Sequence, residues 1–135
     1  MPNPSCEVRL VMTHDVVAVG EKLTLRSLAA VLAELDIGVA LVEASDGSLA
    51  VVSERDVVHA IADGADPDEV WAIDVAAPHL IAAEPQESIV DVACRMTTAA
   101  VRHVPVVEHG AVVGVVSTRD VLPVLVESVV SAGRA

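Results

Sequence analysis

Residues 101–121, VRHVPVVEHGAVVGVVSTRDV, are the part of this sequence that decides which fold we expect. Residues 103–107 form an apolar, β-branched run, residues 109–110 are the turn signal His-Gly, and residues 112–116 form a second such run. Two runs of this kind around a glycine-containing turn predict a β-hairpin. The polar letters STRD that follow predict the start of a helix.

The same pattern occurs a second time, 64 residues earlier in the chain. Residues 51–57, VVSERDV, align with residues 115–121, VVSTRDV, and the 64-residue spacing holds along the chain without an insertion or deletion. Ten residue pairs are identical at this spacing, and most of them fall in these two segments. The chain is therefore a tandem duplication.

Each copy is predicted to contain elements in the order β-α-β-β-α. The first copy has predicted strands at residues 16–19, 38–43 and 49–52, and helices that begin after Thr24 and Ser53. The second copy has a predicted strand at residues 80–83, a helix over residues 88–99, the hairpin, and a helix after Ser117. One buried helix face is predicted from the spacing of Leu25, Leu28, Ala29, Leu32 and Leu35. We expect an α/β (α+β) protein with repeats at residues 8–63 and 72–130, an acidic linker at residues 64–71, and one shared core.

The charge balance of the chain excludes some classes of partner. A formal net charge of −12 argues against nucleic acid and against an anionic membrane surface, because both require a basic footprint. The chain has eight Lys and Arg residues, three of which, Arg55, Arg102 and Arg119, lie in or beside the repeated motifs. We expect a cytoplasmic protein, since charges interrupt any N-terminal signal sequence and no apolar run is long enough to span a membrane.

The corner between the hairpin and the following helix can bind an anion. A helix N-terminus presents unpaired N–H groups and a partial positive charge, which favour phosphate. Asp56 and Asp120 lie in the first turn, where a carboxylate can accept both hydrogens of a cis-diol such as ribose. The alternative is that Ser53 and Ser117 are helix caps and the aspartates only complement the helix dipole.

The sequence shows no arrangement of residues that is typical of an enzyme or of a metal site. Cys6 and Cys94 are isolated, without CxxC spacing or nearby histidines, and there is no G-x-S-x-G or glycine-rich phosphate loop. We therefore expect no catalytic activity, no catalytic residues and no metal ligands.

The duplicated pattern that ends in S-x-R-D resembles a pair of CBS domains, also called a Bateman module, and the resemblance covers roughly residues 8–130. It is most similar to stand-alone bacterial proteins with two repeats. The resemblance implies that the repeats pack around a pseudo-two-fold axis and that two clefts bind adenine nucleotides. It implies AMP, ADP or ATP as the ligand, or else S-adenosylmethionine or a dinucleotide, and no required cofactor.

The resemblance also implies which residues bind the nucleotide, in two composite groups. Asp56 and Asp120 would hold the ribose hydroxyls, with Ser53 and Ser117 beside the ribose or phosphate. The first group would comprise Ser53, Arg55, Asp56, Leu80, Ile81, Ala82, Arg102 and His103. The second would comprise Ser117, Arg119, Asp120, Thr13, Val16, Val17, Ala18, Gly38 and Val39.

One departure from the family pattern lies next to the first corner. Ala50 stands where the family usually has a glycine, such as Gly114 in the second copy, so we expect its methyl group to enter a space that a ligand could use.

Two hypotheses of function follow from the sequence. The first is a regulatory, nucleotide-binding module whose occupancy changes how two protomers, or a separate regulated protein, associate. The alternative is a ligand-independent dimerisation or scaffold protein that keeps the fold. We expect a homodimer in either case, because the helix over residues 121–130 is apolar with little charge.

Overall fold

The computed structural model describes residues 2–78 and 81–133 of the chain, and it has the mixed α+β architecture that the sequence predicts. Its helices are α1 (Leu25–Glu34), α2 (Glu54–Ala62), α3 (Ala72–Val75), α4 (Ile89–Ala99) and α5 (Thr118–Gly133), and a short 3-10 helix covers Val8–Leu10. Its strands are β1 (Ala18–Gly20), β2 (Val39–Glu43), β3 (Leu49–Ser53), β4 (Ala77–Pro78), β5 (His103–Glu108) and β6 (Ala111–Ser117).

The chain divides into two units, each built on one of the two hairpins. The first-hairpin unit is Val17–Leu80, and the second-hairpin unit combines Met1–Val16 with Ile81–Ala135. The N-terminal segment therefore belongs to the unit that contains the second hairpin. No helix in the described part of the chain has both the length and the apolar character that crossing a membrane requires.

The first-hairpin unit contains a sheet of four strands in the order β1-β2-β3-β4. Strand β1 is parallel to β2, while β2 and β3 form the predicted antiparallel hairpin, with Leu41 opposite Val51. Helix α1 begins as predicted, because the Thr24 side chain accepts a hydrogen bond from the Ser27 backbone N–H. The core of this unit consists of Leu25, Leu28, Leu32, Ala40, Val42, Ala50, Val52 and Ala72. Three leucines of the predicted α1 face are therefore buried and Ala29 is half-buried, but the prediction is wrong for Leu35, which is 54% exposed because α1 ends at Glu34 and Leu35 is only its C-cap.

The second-hairpin unit contains the hairpin β5-β6, with Val104 opposite Val116. The predicted turn is confirmed: His109 and Gly110 have φ angles of 51° and 78°, the left-handed region that tight hairpin turns require. Helix α4 is capped by Ser88, whose hydroxyl accepts from the Asp91 N–H. The core of this unit consists of Val8, Ala83, Ile89, Val92, Met96, Val104, Val106, Val116, Val121 and Val124.

Backbone pairing outside the hairpins repeats at the same 64-residue spacing as the sequence. The first segment of each repeat pairs with the second hairpin strand of the other repeat, Thr13 with Val115 and Ala77 with Val51. Two further pairings repeat in the same way. Val19 pairs with Val42 as Ala83 pairs with Val106, and Glu7 pairs with Ser88 as Trp71 pairs with Thr24. The two copies have thus exchanged their leading segments, which the sequence analysis did not predict.

The predicted strand at residues 80–83 is wrong for the residues that the structure describes there. Leu80 lies outside the described residues, and of the rest only Ala83 makes a strand-like pairing, with Val106. Strand pairing does not extend to Ala82, because its carbonyl accepts a hydrogen bond from the Arg95 side chain, at 2.7 Å. The strand in this part of the chain is β4, which pairs with β3.

Candidate functional site

The two S-x-R-D corners have the same geometry. Ser53 ends β3 and caps α2, and Ser117 ends β6 directly before α5. In each corner the serine hydroxyl accepts from the aspartate N–H at 3.3 Å, and the aspartate Oδ2 accepts from the serine N–H at 2.8 Å and from the serine hydroxyl at 3.0 Å. This reciprocal arrangement is a capping box, which satisfies two backbone donors at the helix start.

The capping role that the sequence analysis kept as an alternative is therefore present in both copies. It uses only Oδ2 of Asp56 and Asp120. Among the described residues, no hydrogen bond is made to Oδ1 of either carboxylate. Each half-buried carboxylate can thus cap its helix with one oxygen and accept from a ligand hydroxyl with the other.

Three arginines supply positive charge on or near the corners. Arg55 and Arg119 lie in the first turns of α2 and α5, and Arg102 immediately precedes β5. All three are exposed. The ion pairs formed within residues 2–78 and 81–133 involve other arginines, so these three guanidinium groups are available to an anion.

The strand before each hairpin turn begins next to the corner of its own unit. In the first-hairpin unit Val39 is opposite Ser53, and the Gly38 carbonyl accepts from the Glu54 N–H at 3.0 Å. In the second-hairpin unit His103 is opposite Ser117, and the Arg102 carbonyl accepts from the Thr118 N–H at 2.9 Å.

The remaining predicted site residues are divided between the two units. Thr13 is held in the second-hairpin unit by two backbone hydrogen bonds with Val115, of 2.8 and 3.0 Å, and Val16 belongs to the same unit. Val17 and Ala18 belong to the first-hairpin unit, where the Val17 carbonyl accepts from the Leu41 N–H. Ile81 and Ala82 lie half-buried in the second-hairpin unit. The composite grouping of these residues stays a prediction.

The structure gives a different reason for Gly114 from the one that the resemblance suggested. A Cβ atom at this position would lie 2.7 Å from the Met12 Sδ and 2.9 Å from the Thr13 carbonyl oxygen, closer than real Cβ contacts. The space beside Gly114 is therefore filled by the protein itself. In the first-hairpin unit the residue that matches Met12 is Ala76, whose short side chain packs in the core that includes Ala50.

Sequence reasoning did not predict the ion pair between Arg95 of α4 and Glu87 in the loop before it. The hydrogen bond from Arg95 lowers the pKa of the Glu87 carboxyl below its ordinary value. A comparison of the two copies could have revealed the pair, because the matching residues of the first copy are Val31 and Leu23.

The described residues contain no group of three or more His, Cys, Asp and Glu side chains that could hold a metal ion. Cys6 and Cys94 are free thiols. The chemical groups assembled at the two corners are therefore a helix N-terminus, a carboxylate, a hydroxyl and a guanidinium.

Known proteins resemble the chain in sequence and in fold. An uncharacterised protein of Methanopyrus kandleri is 29% identical over 89% of the chain and 63% of its own length, so the chain spans less than two thirds of that relative. Hypoxic response protein 1 of Mycobacterium tuberculosis is 31% identical, over 84% of the chain and 80% of the relative. A CBS domain protein of Pyrobaculum aerophilum, solved in complex with AMP, is 31% identical, has a TM-score of 0.80, and is aligned over 92% of this chain and 98% of its own.

The family model for the CBS domain matches the chain twice, at residues 7–63 and 72–127. The two matches contain the two S-x-R-D corners, whose hydrogen bonds agree in every distance. Because these matches together span most of the chain, the protein belongs to the CBS domain family as a tandem pair.

Proposed function

We propose that the chain is a regulatory module that binds an adenine nucleotide at its S-x-R-D corners. The observation that carries the proposal is the aspartate geometry, in which Oδ2 caps the helix and Oδ1 makes no hydrogen bond with the described residues. An oxygen of this kind beside a helix N-terminus suits a ribose hydroxyl close to a phosphate. The AMP complex of the Pyrobaculum aerophilum relative supports the same class of ligand.

The proposal assigns one role to each part of the corner. Asp56 and Asp120 accept from ribose hydroxyls, and the serines lie beside the ribose or phosphate. The groups that would contact phosphate are the guanidinium groups of Arg55, Arg102 and Arg119 and the imidazole of His103. The groups that would bind ribose are hydrogen-bond acceptors, and those that would bind phosphate are hydrogen-bond donors. This arrangement suits binding without catalysis. Because adenine nucleotides are intracellular metabolites, the proposal places the chain in the cytoplasm.

Isothermal titration with AMP, ADP, ATP and S-adenosylmethionine tests the proposal. We expect saturable heat with at least one of the nucleotides, and adenosine without phosphate should bind more weakly because the charge-assisted contacts are missing. Saturable heat with S-adenosylmethionine alone would shift the ligand class to a cationic adenosyl compound. The absence of saturable heat with all four compounds would overturn the proposal.

The closed capping boxes favour a second candidate function. Since each box satisfies the backbone donors without a ligand, both corners are complete as structural elements. A ligand-independent dimerisation or scaffold protein would keep this geometry. In that case every titration above gives no saturable heat, and oligomeric mass stays the same with and without nucleotide.

We also propose that the chain forms a homodimer through the outer surface of α5. Leu122, Val126 and Val129 are 59%, 51% and 72% exposed, and they lie on one helix with a single glutamate among its last ten residues. Beside them, a cavity of about 230 Å³ between α4 and α5 is lined by apolar side chains that include Met96, Val121 and Leu125. In a chain of net charge −12, a nearly uncharged apolar face is where two copies can meet with little repulsion. Nucleotide binding would then act on this association or on a separate regulated protein.

A further inference from the structure

Arg95 joins helix α4 to the loop that precedes it. Its Nη1 donates to the Ala82 carbonyl at 2.7 Å and to Glu87 Oε2 at 3.0 Å, and its Nη2 donates to Glu87 Oε1. The side chains of Arg95 and Glu87 are 34% and 30% exposed, the lowest values among the ion pairs of the described residues. A bidentate pair in this half-buried setting fixes both partners more firmly than a surface pair does.

The same carboxylate also binds the backbone of the loop. Glu87 Oε2 accepts from the Glu84 N–H at 2.7 Å, so one side chain connects α4 with both ends of residues 84–87. Together with the bond to Ala82, these contacts form a brace that spans residues 82–95. The pKa of Glu87 is lowered by its hydrogen bond with Arg95, in agreement with a carboxylate that stays ionised within the brace.

The brace holds a segment that has little other support. In the first copy the matching segment is strand β1, whose three residues pair with Leu41, Val42 and Glu43. In the second copy only Ala83 is paired, through the bonds from its N–H to the Pro105 carbonyl and from the Val107 N–H to its own carbonyl. The first copy has no counterpart of the brace, because Val31 and Leu23 occupy the matching positions. Side-chain bonds from Arg95 thus replace strand pairing in the second copy.

We infer that Arg95 is a positioning residue for nucleotide binding, because it fixes the backbone of Ala82 and its neighbour Ile81. The inference rests on the proposed function and on the prediction, implied by the family resemblance, that these two residues belong to the nucleotide site. Arg95 itself would contact no ligand, since its guanidinium is occupied by Ala82 and Glu87. The consequence is that a residue on α4 sets the affinity of a site whose polar groups lie on other elements.

The first test compares AMP titrations of the unmodified chain, Arg95→Met and Arg26→Met. Arg26 is the matched control, because it forms a bidentate pair with Asp68 that is about two-thirds exposed and lies in the first-hairpin unit. We expect Arg95→Met to weaken AMP binding roughly tenfold, since small displacements of positioned groups carry large costs. Arg26→Met should leave the affinity unchanged. If the variant Arg95→Met is unstable, Arg95→Lys and Glu87→Gln remove part of the brace and should give smaller losses in the same direction.

The second test needs no ligand and separates positioning from general destabilisation. Amide hydrogen exchange at Ala83 and Val107 should become faster in Arg95→Met, while exchange in the first-hairpin unit stays unchanged. Unchanged AMP affinity in Arg95→Met, or equal losses in Arg95→Met and Arg26→Met, would overturn the inference and leave the proposed function intact. If the unmodified chain binds ADP or ATP instead of AMP, the same variants are compared with that nucleotide. If it binds none of the three nucleotides, the proposed function fails and the inference fails with it.

Discussion

At the scale of single residues, Gly114 shows how a sequence signal can be correct in position and wrong in its interpretation. The glycine is required by the close approach of Met12 and Thr13, whereas the family resemblance suggested space for a ligand. In the sequence, Gly114 differs from the matching residue of the first copy, which is Ala50. The sequence cannot show that the neighbouring segment comes from the far end of the chain, because that contact is formed only on folding.

This contact makes the substitution Gly114→Ala destabilising. The added Cβ would meet the Met12 Sδ at 2.7 Å and the Thr13 carbonyl at 2.9 Å, and overpacking of this kind costs about 1–3 kcal/mol. We expect the double variant Met12→Ala/Gly114→Ala to recover part of the loss, because it reproduces the Ala76 and Ala50 of the first-hairpin unit. Urea unfolding measures both effects. A Gly114→Ala variant as stable as the unmodified chain would contradict this account.

The phosphate contacts are also a property of single residues. We expect the double substitution Arg102→Ala/His103→Ala to weaken AMP binding about tenfold or more. A charge-assisted hydrogen bond contributes roughly 1.5–3 kcal/mol, so the loss of a single such bond already lowers the affinity about tenfold. Binding of AMP should also become less sensitive to salt. Adenosine is the control ligand, since it lacks the phosphate and its affinity should hardly change. Equal losses for AMP and adenosine would show that these residues do not contact phosphate.

At the scale of secondary-structure elements, the local signals in the sequence predicted the hairpins and the helix starts. Thr24 and Ser53 cap their helices as expected, because a cap depends only on residues three positions apart. Ser88, predicted as the first residue of its helix, is the cap of α4 instead. Strand β4 and the pairing of Thr13 with Val115 were missed, since they join residues more than 25 positions apart. The strand predicted at residues 80–83 failed where a side chain, Arg95, took the Ala82 carbonyl.

The loop over residues 84–87, which precedes α4, should be stabilised less at acid pH than at neutral pH. Arg95 lowers the pKa of Glu87 below its ordinary value of 4.5. The native chain then binds this proton more weakly than the unfolded chain, so the stabilisation is complete above about pH 4.5 and is lost as pH falls through the lower native pKa.

We expect Glu87→Gln to remove this part of the acid dependence of the free energy of unfolding. Denaturant unfolding between about pH 6 and about pH 3 measures it. Glu69→Gln is the control, because Glu69 is exposed and forms none of the ion pairs found among the described residues. A Glu87→Gln profile parallel to that of the unmodified chain would show that the pair does not stabilise the fold.

At the scale of the whole molecule, the duplication was predictable and the exchange of leading segments was not. The 64-residue spacing indicates two copies of one pattern, and the matched backbone pairs confirm it. Periodicity identifies which residues are equivalent, but it does not determine with which copy a segment pairs. Each unit is consequently built from both repeats, with Met1–Val16 in the second-hairpin unit.

The proposed homodimer is tested by charge on the exposed face of α5. We expect light scattering to give about twice the chain mass of 13.9 kDa, and Val126→Glu to lower it to the mass of one chain, because a buried unpaired carboxylate opposes association. The matched control is Val58→Glu, which alters an apolar residue of α2 that is 63% exposed. A mass of one chain for the unmodified protein at micromolar concentration would refute the dimer.

The central claim, that the two S-x-R-D corners bind an adenine nucleotide through their aspartates, is tested most directly by one calorimetric comparison. The unmodified chain, Asp56→Ala/Asp120→Ala and Ser53→Ala/Ser117→Ala are each titrated with AMP, with circular dichroism as the check on folding. Both double variants break the capping boxes, but only the first removes the carboxylates. We expect the aspartate variant to lose roughly 10- to 150-fold in affinity while the serine variant loses less, because each carboxylate contact contributes about 1.5–3 kcal/mol. AMP binding of unchanged affinity in the folded Asp56→Ala/Asp120→Ala variant would contradict the claim and leave the aspartates as helix caps alone.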